Sequence, residues 1–96
     1  EEYCKVKKIV IKPGQAPSYQ LHHKRNETWI IVQGQGLLTL DDVESKVFAG
    51  ETIQVPVKMK HRIRNTGKED LIFVEIQLGE YFGEDDIVRL SDDYGR

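Results

Sequence analysis

Ninety-six residues make room for one domain, 1–96, and not for a second core. Fourteen basic against sixteen acidic residues give a formal charge of −2, without the basic surplus that phosphate backbones select, which excludes nucleic acid as the main partner. There is no long apolar run or signal-peptide pattern and only one cysteine, Cys4, so the expectation is a soluble cytoplasmic protein with no membrane partner and no internal disulfide.

The chain opens, after a short polar lead with a half-buried Cys4, on KKIVIKPG, a run rich in β-branched residues that stops at a Pro-Gly turn. QLHH follows, then the polar turn Lys24-Arg25-Asn26, then TWIIVQGQGLLTL, SKVFAGETIQVP, HRIRNTG and EDLIFVEIQLG. Apolar residues alternate in these runs rather than recurring at helical spacing, and Gly, Pro, Asn or Asp bounds each one. The pattern predicts an all-β domain of several short antiparallel strands, a sandwich or barrel. From Gly83 onward the tail reads as helical or irregular, with Glu84-Asp85-Asp86 as a solvated acidic turn.

Strand parity organises the polar residues. Gln20 and His22 are two apart and share a face, and His23 points away. Glu27, opening the next strand, faces back toward them, and Trp29 shares its parity, either flooring the same cavity or packing in the core. The fourth group is His61, which starts a strand after the turn at Pro56. Gln20, His22, Glu27 and His61 offer oxygen and nitrogen donors suited to one divalent transition metal, Zn first, with Mn, Fe, Co or Ni also compatible. The plainer alternative makes them polar groups on hairpins.

Their spacing resembles the paired motifs of the cupin superfamily. Gly14, five residues, Gln20-Leu21-His22, four residues, Glu27, six residues and Gly34 match the first motif, with Gln20 in place of its first His. Gly50, five residues, Pro56-Val57-Lys58, two residues, His61, three residues and Asn65 match the second, with Lys58 in place of its turn Gly. This resemblance implies a double-stranded β-helix, a jelly-roll-like antiparallel barrel. The ending VEIQLGEYFGEDDIVRLSDDYGR and the set Arg25-x-Glu27-x-Trp29 are further similar to type II phosphomannose isomerases, in which this module usually follows a nucleotidyltransferase. Thr28 and Lys24 stand where that family commonly has His.

The family resemblance implies interconversion of mannose-6-phosphate and fructose-6-phosphate through an enediol, with a phosphorylated hexose as substrate. It places the metal on Gln20, His22, Glu27 and His61 and gives Arg96 a part in the isomerase reaction. It names no general base; Glu75 and Gln77, which share one strand face, and Lys24 either line the cavity or face solvent. Two alternatives remain open: a non-catalytic metal- or sugar-binding module that partners a separate nucleotidyltransferase, and another metal-dependent cupin enzyme. A homodimer paired through the strand around Lys7–Ile11 is expected, because a small barrel exposes sheet edges.

Overall fold

Along the third strand, Arg25, Glu27, Trp29 and Ile31 turn inward and are buried, while Asn26, Thr28, Ile30 and Val32 are outward and less covered. That two-residue period is repeated through the fold and decides which side chains reach the interior. The structure, a computed structural model, describes residues 4–79 and 86–91. Among the described residues there are nine strands and no helix: β1 Cys4–Ile11, β2 Tyr19–His22, β3 Arg25–Gln33, β4 Gln35–Leu40, β5 Val43–Phe48, β6 Thr52–Val55, β7 His61–Asn65, β8 Leu71–Gly79 and β9 Ile87–Ser91. They form two antiparallel sheets, β1-β8-β3-β6 and β5-β4-β7-β2-β9. The expected all-β barrel of the double-stranded β-helix type is what the chain forms.

Register grades the interior from polar to apolar. In the first sheet, Gln77, Glu27 and Val55 form one inward row, with Lys5 exposed at its end, and Lys7, Glu75, Trp29 and Ile53 form the next. Below them lie Ile9, Phe73 and Ile31, then Ile11 and Leu71. The apolar end merges with Leu38, Val47 and Ile63 of the second sheet into one core. Asn65 closes that end: its Nδ2 donates to the carbonyls of Ile11 and Glu69, both at 2.8 Å, so the second-motif asparagine serves the scaffold.

Two turns control where the polar end sits. Lys58 has φ +67°, the left-handed conformation that its motif normally gives to glycine. Its amide donates to the carbonyl of His22 at 2.6 Å, so the turn before β7 grips the end of β2. Gly79 lies opposite Arg25, and a Cβ there would run into the carbonyl of Lys24. Gly79→Ala is therefore expected to cost about 1–3 kcal/mol, as overpacking against a fixed backbone does. Urea denaturation checks this; an unchanged midpoint would mean that the start of β3 yields freely.

Four expectations need correction. Cys4 is exposed rather than half-buried, because it lies on the outer face of the edge strand β1. Arg25 is not part of a polar turn; it is the first residue of β3 and is buried. The tail is not helical or irregular throughout, since residues 87–91 form β9 against β2. Asp86 is not solvated: it is buried, and its two carboxylate oxygens accept the amides of His23 and Lys24 at 3.2 and 3.0 Å. Arg96 lies outside the described residues.

Candidate metal centre

Three strands deliver the site. His22 ends β2, Glu27 sits near the start of β3 and His61 begins β7. All three are buried, and they bring one ligand atom each to within 4.8 Å of one another. Gln20 lies opposite His61 across the β2–β7 pairing, next to a register irregularity that re-aims this part of β2. All four of these residues line one cavity of about 200 Å³ between the two sheets. His23 is exposed, as its parity requires.

Two of the ligand candidates, His61 and Glu27, have supporting contacts. The Nδ1 of His61 lies 3.2 Å from the carbonyl of Met59. A carbonyl only accepts, so Nδ1 carries the proton and Nε2 keeps its lone pair. Burial pushes the His61 pKa down, favouring the neutral imidazole that binds metals. Trp29 Nε1 donates to Glu27 Oε1 at 2.9 Å, and Arg25 Nε donates to Oε2 at 3.0 Å. Burial alone would raise the Glu27 pKa, but its side-chain hydrogen bonds, with His22 first and Trp29 next, outweigh it and hold the carboxyl at about 2.

Two details fit a cation. The Nε2 of His22 is 3.2 Å from Glu27 Oε2 and 3.1 Å from Arg25 Nη2. A proton there suits the carboxylate and opposes the guanidinium; a lone pair does the reverse. A positive ion accepting both the nitrogen and the carboxylate lone pairs would resolve the contact with Glu27 and would displace the Arg25 Nη2 from this nitrogen. The amide oxygen of Gln20 is buried with no hydrogen-bond partner, an unsatisfied acceptor on a residue that lines the same cavity. Two imidazoles and a carboxylate thus form a group that could hold a metal ion, and the Gln20 amide offers an oxygen in the same cavity.

Trp29 does both things its parity allows. It lines the cavity and also packs edge-on to His61 and against Phe73, with ring centroids 5.5 and 4.9 Å apart. The Thr28 hydroxyl bonds to Gln54 on the outer face, and Lys24 is exposed outside the cavity lining, so neither departure from the family pattern touches the site. Glu75 lines the cavity, while Gln77 lies fully buried behind it and donates Nε2 to Glu75 Oε2. Burial, reinforced by the negative charge of Glu27, pushes the Glu75 pKa up.

Residues 1–92 match the family described as mannose-6-phosphate isomerase C-terminal. The chain belongs to that family. Two curated relatives are the alginate biosynthesis protein AlgA of Pseudomonas aeruginosa, 45% identical over 91 residues, and a mannose-1-phosphate guanylyltransferase of Salmonella montevideo, 44% identical over 95. These alignments cover 95% and 99% of this chain but only 19% and 20% of the relatives, so the family module here spans about a fifth of their length. A solved protein of Klebsiella pneumoniae with a double-stranded β-helix domain superposes with a TM-score of 0.82 at 20% identity, covering 94% of this chain and 76% of its own. That likeness establishes the fold. Among the described residues of this family member, no helix is long and apolar enough to cross a membrane.

Proposed function

We propose that this domain is a metal-dependent aldose–ketose isomerase of phosphorylated hexoses, interconverting mannose-6-phosphate and fructose-6-phosphate. The observation that carries the reading is the convergence of His22, Glu27 and His61 beside the unpartnered oxygen of Gln20, in a cavity of a mannose-6-phosphate isomerase family domain. A divalent ion bound to these four residues would supply Lewis acidity toward the sugar oxygens. The chain itself holds Glu27 ionised, keeps His61 neutral and floors the cavity with Trp29, which excludes water from one wall. Lys7, Arg62 and Arg89 line the same cavity and provide cations for a phosphate.

A coupled assay on mannose-6-phosphate, with and without added Zn, Mn, Fe, Co or Ni, tests this reading. Metal-stimulated formation of fructose-6-phosphate supports it; no turnover with any of these ions would overturn it. A second reading, a binding module without turnover, draws on Arg25, whose guanidinium contacts Glu27 and His22 and neutralises the carboxylate by itself. Metal analysis of the purified protein distinguishes the two if the protein proves empty, and the coupled assay does so if it holds an ion.

The part assigned to Arg96 belongs to the same proposal. Deleting residues 94–96 is expected to lower turnover roughly 30- to 1000-fold, the effect of losing a charge-assisted contact made in the transition state, without changing metal content or melting temperature. Full turnover by the shortened chain would remove Arg96 from the reaction. A homodimer through β1 is also part of the proposal: β1 is a sheet edge whose outer face exposes Val6 and Val10, and light scattering that finds a monomer would dismiss it.

A further inference from the structure

The cavity has two carboxylates among its described lining residues, Glu27 and Glu75, and their surroundings differ sharply. Both oxygens of Glu27 are engaged, Oε1 by Trp29 and Oε2 by Arg25 and His22. Glu75 sits one strand away on β8, opposite Trp29 rather than opposite Glu27. Its hydrogen bond among the described residues comes from Gln77, which fixes Oε2 from behind and leaves the group turned into the cavity. Lys7 lies across from it on β1 and lines the same wall. Two acids in one site, one fully engaged and one held by a single neutral donor, divide between fixed charge and proton transfer.

We propose that Glu75 is the proton carrier of this cavity, moving one proton between C2 and C1 of the open-chain sugar phosphate, with Gln77 as its positioning residue. The inference rests on the isomerase reading above. The Glu75 carboxylate takes the C2 proton; the C2–H electron pair becomes the C1=C2 bond, and the carbonyl pair of C1 moves onto O1. The hydroxyl proton of O2 then passes to O1. The O2 pair re-forms a carbonyl at C2, and the C1=C2 pair takes the proton back from Glu75 at C1. Atoms and electrons balance with no co-reactant, and Glu75 ends as the carboxylate it began. A buried carboxyl kept from strong ion pairing suits such a shuttle, because it must be a competent base first and a competent acid second.

Glu75→Gln keeps the shape of the side chain and its place beside Gln77 while removing the transferable proton. In the metal-loaded chain it is expected to lower kcat by about 100-fold or more, the usual weight of a positioned acid–base group, with KM within about twofold of wild type. Bound metal, and calorimetric binding of fructose-6-phosphate, should stay unchanged. Deuterium uptake from heavy water into C2 of the substrate should fall with kcat. Glu75→Asp, which keeps the acid one methylene further back, should retain part of both. A wild-type chain that isomerises the sugar while Glu75→Gln does so equally well overturns the assignment and leaves the isomerase standing. Loss of metal or of sugar-phosphate binding in Glu75→Gln makes the residue structural and also overturns it. A wild-type chain without turnover overturns both readings together.

Discussion

Replacing His61 by alanine is expected to abolish stoichiometric metal binding, and His22→Ala to do the same. His61 is oriented without an ion: its Nδ1–H donates to the Met59 carbonyl, burial keeps the ring neutral, and Trp29 braces it edge-on. Removing it takes a donor from a shell of at most four, which should exceed the roughly 10- to 100-fold loss of affinity typical of outer contacts. Gln20→Ala should be milder, because a neutral amide oxygen contributes less charge. His23→Ala is the control. Adjacent to His22 but exposed on the opposite face, it should leave metal content unchanged. Elemental analysis after dialysis reads all four variants; full occupancy in both His22→Ala and His61→Ala would eliminate the site.

Trp29→Ala is expected to lower the stability of the fold by about 3–5 kcal/mol, the usual cost of deleting a large buried aromatic. That is a large part of the roughly 5–15 kcal/mol that holds a typical domain together. Trp29 is 3% exposed, so the cavity left behind cannot be refilled by solvent without wetting the core. The ring also touches both Phe73 and His61, and its Nε1 holds Glu27. Trp29→Phe keeps most of the packing and loses the hydrogen bond to a carboxylate, which should cost a smaller 1.5–3 kcal/mol or so. Urea unfolding separates the two, and a Trp29→Ala midpoint close to wild type would mean that the indole contributes little to either core or site.

What could be read from the sequence was whatever depends on local period. Alternation along TWIIV put Glu27 and Trp29 on one face, and the spacing of the two motifs placed Gln20, His22 and His61 around one cavity. Arg25 has the same parity as Glu27, two residues earlier, so its burial was available to the same logic; a run of polar residues disguised it as a turn. Contacts set by distant partners were not legible. Asp86 binds backbone amides 62 and 63 positions away, and nothing in Glu84-Asp85-Asp86 marks which acid will be enclosed. The role proposed for Glu75 depends on its row, with Lys7 on one side and Trp29 on the other, and strand order alone creates that row.

The placement of β2 bears on the order in which the centre can be completed during synthesis. Glu27 and His61 lie on strands whose partners, β6, β8 and β4, all precede residue 80. β2 is different: it meets β7 through Gln20 and His61, but Tyr19 to His22 run alongside residues 87–91 of β9, and Asp86 pins the amides just past His22. A nascent chain exposed only as far as β8 therefore has the partners for two of the donors and lacks the strand that aligns Gln20 and His22. On the metal-dependent reading proposed above, metal capture would be a late event on the ribosome, after β9 has emerged. Released chains that end before residue 86 should then form most of the barrel and fail to retain an added divalent ion.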